Sequence, residues 1–185
     1  MGYYVYTTDS SFFLDKKHFE SVYEKMCKLN DFDELKRGGM FGSNNDPVPG
    51  EKYNRNSWFS WMPHDYPETM PDMQTILMEL GFDLVFDTDG NLTDLSYSNK
   101  VGNEDYFLNC FAGFVNDGSY IQFRGEESED VYRYCFSKGK MIMQRALIKY
   151  EWQEGEEYTF GELSADDKRA KEWLETYRKE QAEAK

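Results

Sequence analysis

Three runs between residues 119 and 152 set the pattern of the chain. Residues 119–124 and 131–137 alternate apolar and polar side chains with a period of two, and 141–152 reads as a further strand. Successive side chains of such a run fall on opposite faces, as in a half-buried strand. Gly125 and the acidic run Glu126, Glu127, Ser128, Glu129, Asp130 separate the first two. Ser137-Lys138-Gly139-Lys140 separates the last two, and its glycine takes positive φ at little cost. Three consecutive antiparallel strands are predicted.

Upstream the period switches between two and 3.6. Residues 2–8 (GYYVYTT) form a β-rich opening. Asp15 is placed to cap a helix with an apolar stripe at Phe19, Val22, Tyr23 and Met26. Residues 31–56 are loop-like, rich in glycine, asparagine and proline. The run 57–62 (SWFSWM) is strand-like with a ring on each face, which predicts a place inside a covered sheet. Thr69 is placed to cap the next helix, with Pro71 near its first turn and Asp72 at loose capping-box spacing; its stripe is Met73, Ile76, Leu77 and Leu80, and Gly81 is its C-terminal stop. Residues 82–86 and 92–97 flank an Asp89-Gly90 turn and predict a hairpin. Asn103 is placed to cap a helix with Glu104 and Asp105 in its first turn and a stripe at Phe107, Cys110, Phe111 and Phe114.

After Trp152 the chain becomes acidic and turn-like, then turns helical from Ser164, with Trp173 and Leu174 at the centre of a narrow stripe. The fold class predicted is α+β: a mainly antiparallel sheet built from hairpins, covered by helices on one face, plus a C-terminal helix. Residues 1–162 are expected to form one domain and 163–185 an amphipathic helix. That helix either packs on the domain or pairs with a second copy of the chain as a homodimer.

Composition adds that the core is aromatic. Phe, Tyr and Trp make up 17% of the 185 residues, so large rings supply burial without many Leu or Val, and the chain is expected to fold. The formal net charge of −14 argues against direct binding to nucleic acid or to an anionic membrane. It fits a soluble surface, or a surface that imitates a nucleic-acid backbone and occupies a basic groove on a protein partner. Cys27, Cys110 and Cys135 are odd in number and widely spaced, the pattern of buried thiols in a reducing compartment. No apolar run approaches membrane-span length, so a cytoplasmic location is expected.

Motifs for chemistry are sparse. His18 and His64 lie in different elements, and neither HExxH nor CxxC occurs. Asp87-Thr88-Asp89-Gly90-Asn91 has its glycine at the wrong place for a calcium loop and is read as the hairpin turn. Gly38-Gly39-Met40-Phe41-Gly42 lacks the Lys-Ser/Thr of a phosphate loop. His64 beside Asp65 and Tyr66 is the one candidate general base, for a small enzyme or a nucleotide-binding cleft. Tyr120, Tyr132 and Tyr134 lie on adjacent strands as base-stacking platforms do, but beside an acidic turn. No catalytic residue, metal or cofactor is therefore expected.

Surface acids are the remaining signal. Glu126, Glu127, Glu129 and Asp130 gather at one hairpin tip, and Glu154, Glu156 and Glu157 follow the third strand. Trp58 and Tyr66 are expected to be exposed aromatic anchors beside them. A structural or assembly role through the C-terminal helix is a further alternative.

Met1-Gly2-Tyr3, Phe59-Ser60-Trp61-Met62, Asp117-Gly118-Ser119-Tyr120-Ile121, Arg124-Gly125-Glu126 and Tyr132-Arg133-Tyr134-x-Phe136 together resemble a group of small proteins of unknown function encoded by bacteriophages and related mobile elements. The resemblance covers scattered pieces of roughly the first 150 residues and implies a phage-like origin. Small acidic phage proteins often bind host or defence proteins. The expectation is thus a non-enzymatic inhibitor of a host or defence protein with a basic surface, anti-CRISPR proteins being one type.

Overall fold

The computed structural model describes residues 2–39, 49–127 and 130–147 of the chain. It is α+β, with a six-stranded, wholly antiparallel sheet. The strands are β1 (Tyr4–Ser11), β4 (Phe82–Phe86), β5 (Leu92–Lys100), β6 (Tyr120–Gly125), β7 (Val131–Ser137) and β8 (Lys140–Arg145), in spatial order β4-β5-β1-β6-β7-β8. A separate two-stranded ladder pairs β2 (Gly38–Gly39) with β3 (Ser57–Trp58). The helices are α1 (Phe19–Leu29), α2 (Tyr66–Thr69), α3 (Met73–Leu80) and α4 (Glu104–Asn109).

The three-strand unit forms as predicted, with alternating burial in β6 and β7 but not in β8, which is almost wholly exposed. In β7 Tyr132, Tyr134 and Phe136 are buried while Arg133 is exposed. Lys138 (φ 50°) and Gly139 (φ 71°) make the two-residue turn into β8 with positive φ at both positions, the geometry that matches strand twist. β8 ends at Arg145, and the part of the expected third strand beyond residue 147 lies outside the described residues, as does the expected C-terminal helix over 163–185.

What joins the two hairpin units is β1. Tyr6 pairs with Ser98 of β5 on one side and with Arg124 of β6 on the other. A register shift between Thr7 and Asp9 inserts one residue, a bulge that bends the strand. The face carrying Val5, Leu95, Tyr97, Ile121, Phe123, Tyr132, Tyr134 and Phe136 is buried under the helices. Rings knit the layers together. Phe12 meets Phe111 edge-on at 5.1 Å, Phe59 meets Phe107 edge-on at 5.3 Å, and Phe123 stacks on Tyr132 at 5.4 Å. The opposite face is open to solvent. There Tyr4 and Tyr6 are exposed, and Tyr120 Oη donates to Asp9 Oδ2 at 2.8 Å.

Several local expectations change. Asp15 caps a 3-10 turn (Lys16–His18) that leads into α1. Asp72, not Thr69, caps α3, its carboxylate accepting from Thr75 N at 2.7 Å, because Thr69 already ends α2. Gly81 stops α3 in the left-handed conformation (φ 101°), as expected. Of 57–62 only Ser57–Trp58 is strand, and it lies outside the main sheet. Gly38 is needed there because a Cβ would sit 2.5 Å from the Trp58 ring. Of the three cysteines only Cys110 is buried, and burial pushes its thiol up to about 12; Cys27 and Cys135 are half-buried, and all three are free.

Candidate functional site

The buried face ends in a cavity of about 670 Å³ at the β6–β7–β8 end of the sheet. Tyr132 and Tyr134 of β7 form its floor, with Met143 and Arg145 of β8. The turn from β5 into α4 forms the opposite wall through Gly102, Glu104 and Asp105, with Arg37 beside it. Tyr3, Glu127 and Asp130 close one end.

Each wall is held by specific contacts. Val101 N donates to Tyr3 O at 2.8 Å, and the buried Gly102 N donates to Glu104 Oε2 at 2.7 Å. Gly102 has no side chain because Trp61 lies on it: a Cβ there would be 2.8 Å from Trp61 Nε1. Trp61 adopts φ 70°, a conformation costly for a bulky residue, so packing must hold it there. Asn103 stands at the N-cap position of α4, as expected, but its side chain makes no capping bond. Its Oδ1 accepts from Ser60 N at 2.9 Å and so ties the 57–62 segment to this turn.

The acidic tip is pinned as well. Tyr3 Oη donates to Asp130 Oδ2 at 3.0 Å and accepts from Glu127 N at 3.3 Å. Gly125 N donates to Asp130 O at 2.8 Å. A Cβ on Gly125 would press on the Tyr3 hydroxyl and lie 2.7 Å from Asp130 Oδ2, so the bond between Tyr3 and Asp130 passes directly over a glycine.

The electrostatics are mixed in sign and left open. Glu104 is only 4% exposed. Burial pushes its carboxyl up; its own and the Gly102 backbone N–H groups oppose this, Asp105 adds to it, and Arg37 opposes it weakly. Burial likewise raises the phenols of Tyr132 and Tyr134. At Tyr134, Asp105 and Glu104 push further in that direction, while Arg145 and Arg37 pull back. No ion pair among the described residues joins these acids to Arg37 or Arg145.

The residues expected from sequence fall in several places. Glu127 and Asp130 line the cavity, and Glu126 stands exposed at the tip beside them. Glu129, Glu154, Glu156 and Glu157 lie outside the described residues. Trp58 is half-buried against Gly38. Tyr66 is not an exposed anchor: it is fully buried, and its Oη donates to Met26 O at 2.5 Å. The physical reason is that α2 turns its ring into the aromatic core, against Phe59 and Phe107.

With the Tyr66 hydroxyl committed to Met26, His64 has Asp65 beside it, with Nδ1 and Oδ1 4.0 Å apart. The three tyrosines do not make one platform, since Tyr132 and Tyr134 face the helices and Tyr120 the open side. Asp87 closes the hairpin turn by accepting from Asp89 N, Asn91 N and Asn91 Nδ2, so its carboxylate is used by the backbone. Among the described residues no group of three or more His, Cys, Asp or Glu is placed to hold a metal ion. No helix among them is long and apolar enough to cross a membrane.

Nothing in the sequence pattern brings Glu104 together with Tyr132 and Tyr134 at one cavity, where all three lie. Glu104 reads in sequence as a helix-dipole acid. The inward parity of two tyrosines was the available signal, since a buried phenol needs a partner for its hydroxyl.

In comparisons with known proteins, no family model, no curated protein and no solved structure matches the chain.

Proposed function

We propose that this chain is a non-catalytic acidic binding protein that seats on a basic surface of a protein partner and blocks it. The observation that carries this reading is the pinned tip: Tyr3 fixes Asp130 and the Glu127 backbone beside a cavity that also holds Glu104 and Asp105. Acids held in place before association spend less entropy on binding than acids on a loose loop. The net charge of −14 supplies long-range steering towards a basic groove. The resemblance to phage-encoded proteins suggests a host or defence protein as the target, in the host cytoplasm. A nuclease with a basic nucleic-acid channel, such as a CRISPR effector, has the matching charge.

The test uses the tagged full-length chain as bait in host lysate, beside a Glu126→Lys, Glu127→Lys, Asp130→Lys variant. The expected result is a partner retained at low salt, released at high salt and absent from the variant. That partner should lose nucleic-acid binding when the protein is added. Equal capture by the variant, or capture indifferent to salt, would contradict the proposal.

A further inference from the structure

The cavity has features that a solubilising acidic surface does not require. Tyr132 and Tyr134 are only 7% and 8% exposed, and no described residue hydrogen-bonds to either hydroxyl. Both line the cavity. Neither hydroxyl oxygen is sealed from solvent, so both open onto the cavity and can bond to a molecule that enters it. Glu104 points to the same conclusion. It is more than nine-tenths buried, it lines the cavity, and it has no cationic partner among the described residues. Its carboxylate is met by backbone N–H groups, from Gly102 and from its own residue, and by no side-chain cation in bonding contact. Fixed acceptors, two aromatic rings and a desolvated carboxylate in one concave site favour a planar cation with several N–H donors.

We propose that the cavity is a receptor for a guanidinium group, which would bond to the Glu104 carboxylate and the Tyr132 and Tyr134 hydroxyls, as an arginine side chain of a protein partner would. This rests on the partner-binding reading and gives it a specific anchor. The acidic end formed by Glu127 and Asp130 steers the cation in, and the buried groups hold it. Arg37 and Arg145, on the same walls, leave the site only modestly acidic. Recognition therefore depends on hydrogen-bond geometry at Glu104 more than on net charge.

A guanidinium can come from a protein or from a small molecule, so the test has arms for both. The full-length protein is titrated with an acetyl-Gly-Arg-Gly-amide peptide, with agmatine, with the matching lysine peptide and with AMP as an anionic control. Binding is read by calorimetry and by shifts of the Tyr132 and Tyr134 ring resonances. The arginine peptide should bind, shift both rings, and lose about tenfold or more in affinity in Glu104→Gln, which keeps an acceptor for Gly102 N–H. Equal binding of agmatine supports the guanidinium site itself, and tighter binding of agmatine than of the peptide assigns it to a small-molecule ligand in place of a protein arginine. The inference is overturned if no guanidinium probe binds to protein with a native melting curve. It is also overturned if AMP binds more tightly than the cations, or if Glu104→Gln binds as well as wild type. A basic partner lost on charge reversal of Glu126, Glu127 and Asp130 but untouched by Glu104→Gln would overturn this inference alone and leave the partner-binding reading standing.

Discussion

The hydroxyl of Tyr3 donates to Asp130 Oδ2 at 3.0 Å across 127 positions of sequence, so the residue just before β1 fixes the acidic tip between β6 and β7. The same oxygen accepts from Glu127 N. One phenol thus sets both the direction of a carboxylate and the path of the backbone beside it. Gly125, beneath this bond, leaves the space the two groups need.

Tyr3→Phe keeps the ring and removes the bond. The far-UV spectrum should be unchanged, amide exchange at 126–130 should speed up, and partner affinity should fall by about threefold to tenfold as the tip loses its preorganisation. Gly125→Ala should loosen the tip at least as much, because its methyl displaces the Tyr3–Asp130 pair. Exchange rates at the tip equal to wild type in both variants would show that the bond does not order it.

Glu104 predicts a pH dependence of stability with a definite sign. Burial raises its carboxyl in the folded state, so the folded protein holds the proton more tightly than the unfolded chain does. Its contribution is therefore fully present below the unfolded value, about 4.3 for a glutamate, and is lost as pH rises through the higher folded value. Glu104→Gln removes this loss. Its Tm should exceed that of wild type at pH 7, with the difference closing as pH falls towards about 4. A variant less stable than wild type at pH 7 would show that the charge is stabilised by its surroundings.

The aromatic core predicts two graded losses. Tyr66→Phe removes the buried bond to Met26 O and should cost about 1 kcal/mol. Phe107→Ala empties a fully buried position against Phe59 and Tyr66 and should cost about 3–5 kcal/mol. Urea unfolding with an unchanged m-value measures both. A loss at Tyr66→Phe as large as that at Phe107→Ala would mean that the hydroxyl organises more than one carbonyl.

What was legible in the sequence was local. The β6–β7–β8 unit, the β4–β5 hairpin and the stop at Gly81 follow from period and turn chemistry within a few residues of each other. The central place of β1 is not local: Tyr6 meets Ser98 and Arg124, far along the chain, and nothing in GYYVYTT names those partners. Tyr66 misled because α2 is too short to show a helical period, so its inward side could not be told from its outward one. The acids of the tip were visible as a run, whereas Glu104, Tyr132 and Tyr134 became a site only when the sheet and the turn into α4 faced each other. Their convergence on one cavity is a tertiary property.

The most direct measurement is the affinity for the captured partner as a function of salt, for wild type and for the Glu126→Lys, Glu127→Lys, Asp130→Lys variant. For wild type, log K should fall steeply with log salt, mostly through a slower association rate. The variant should bind weakly, with a flattened or reversed slope. An affinity that is the same at low and high salt, or identical slopes for the two proteins, would contradict the claim that this acidic end is the partner-facing surface.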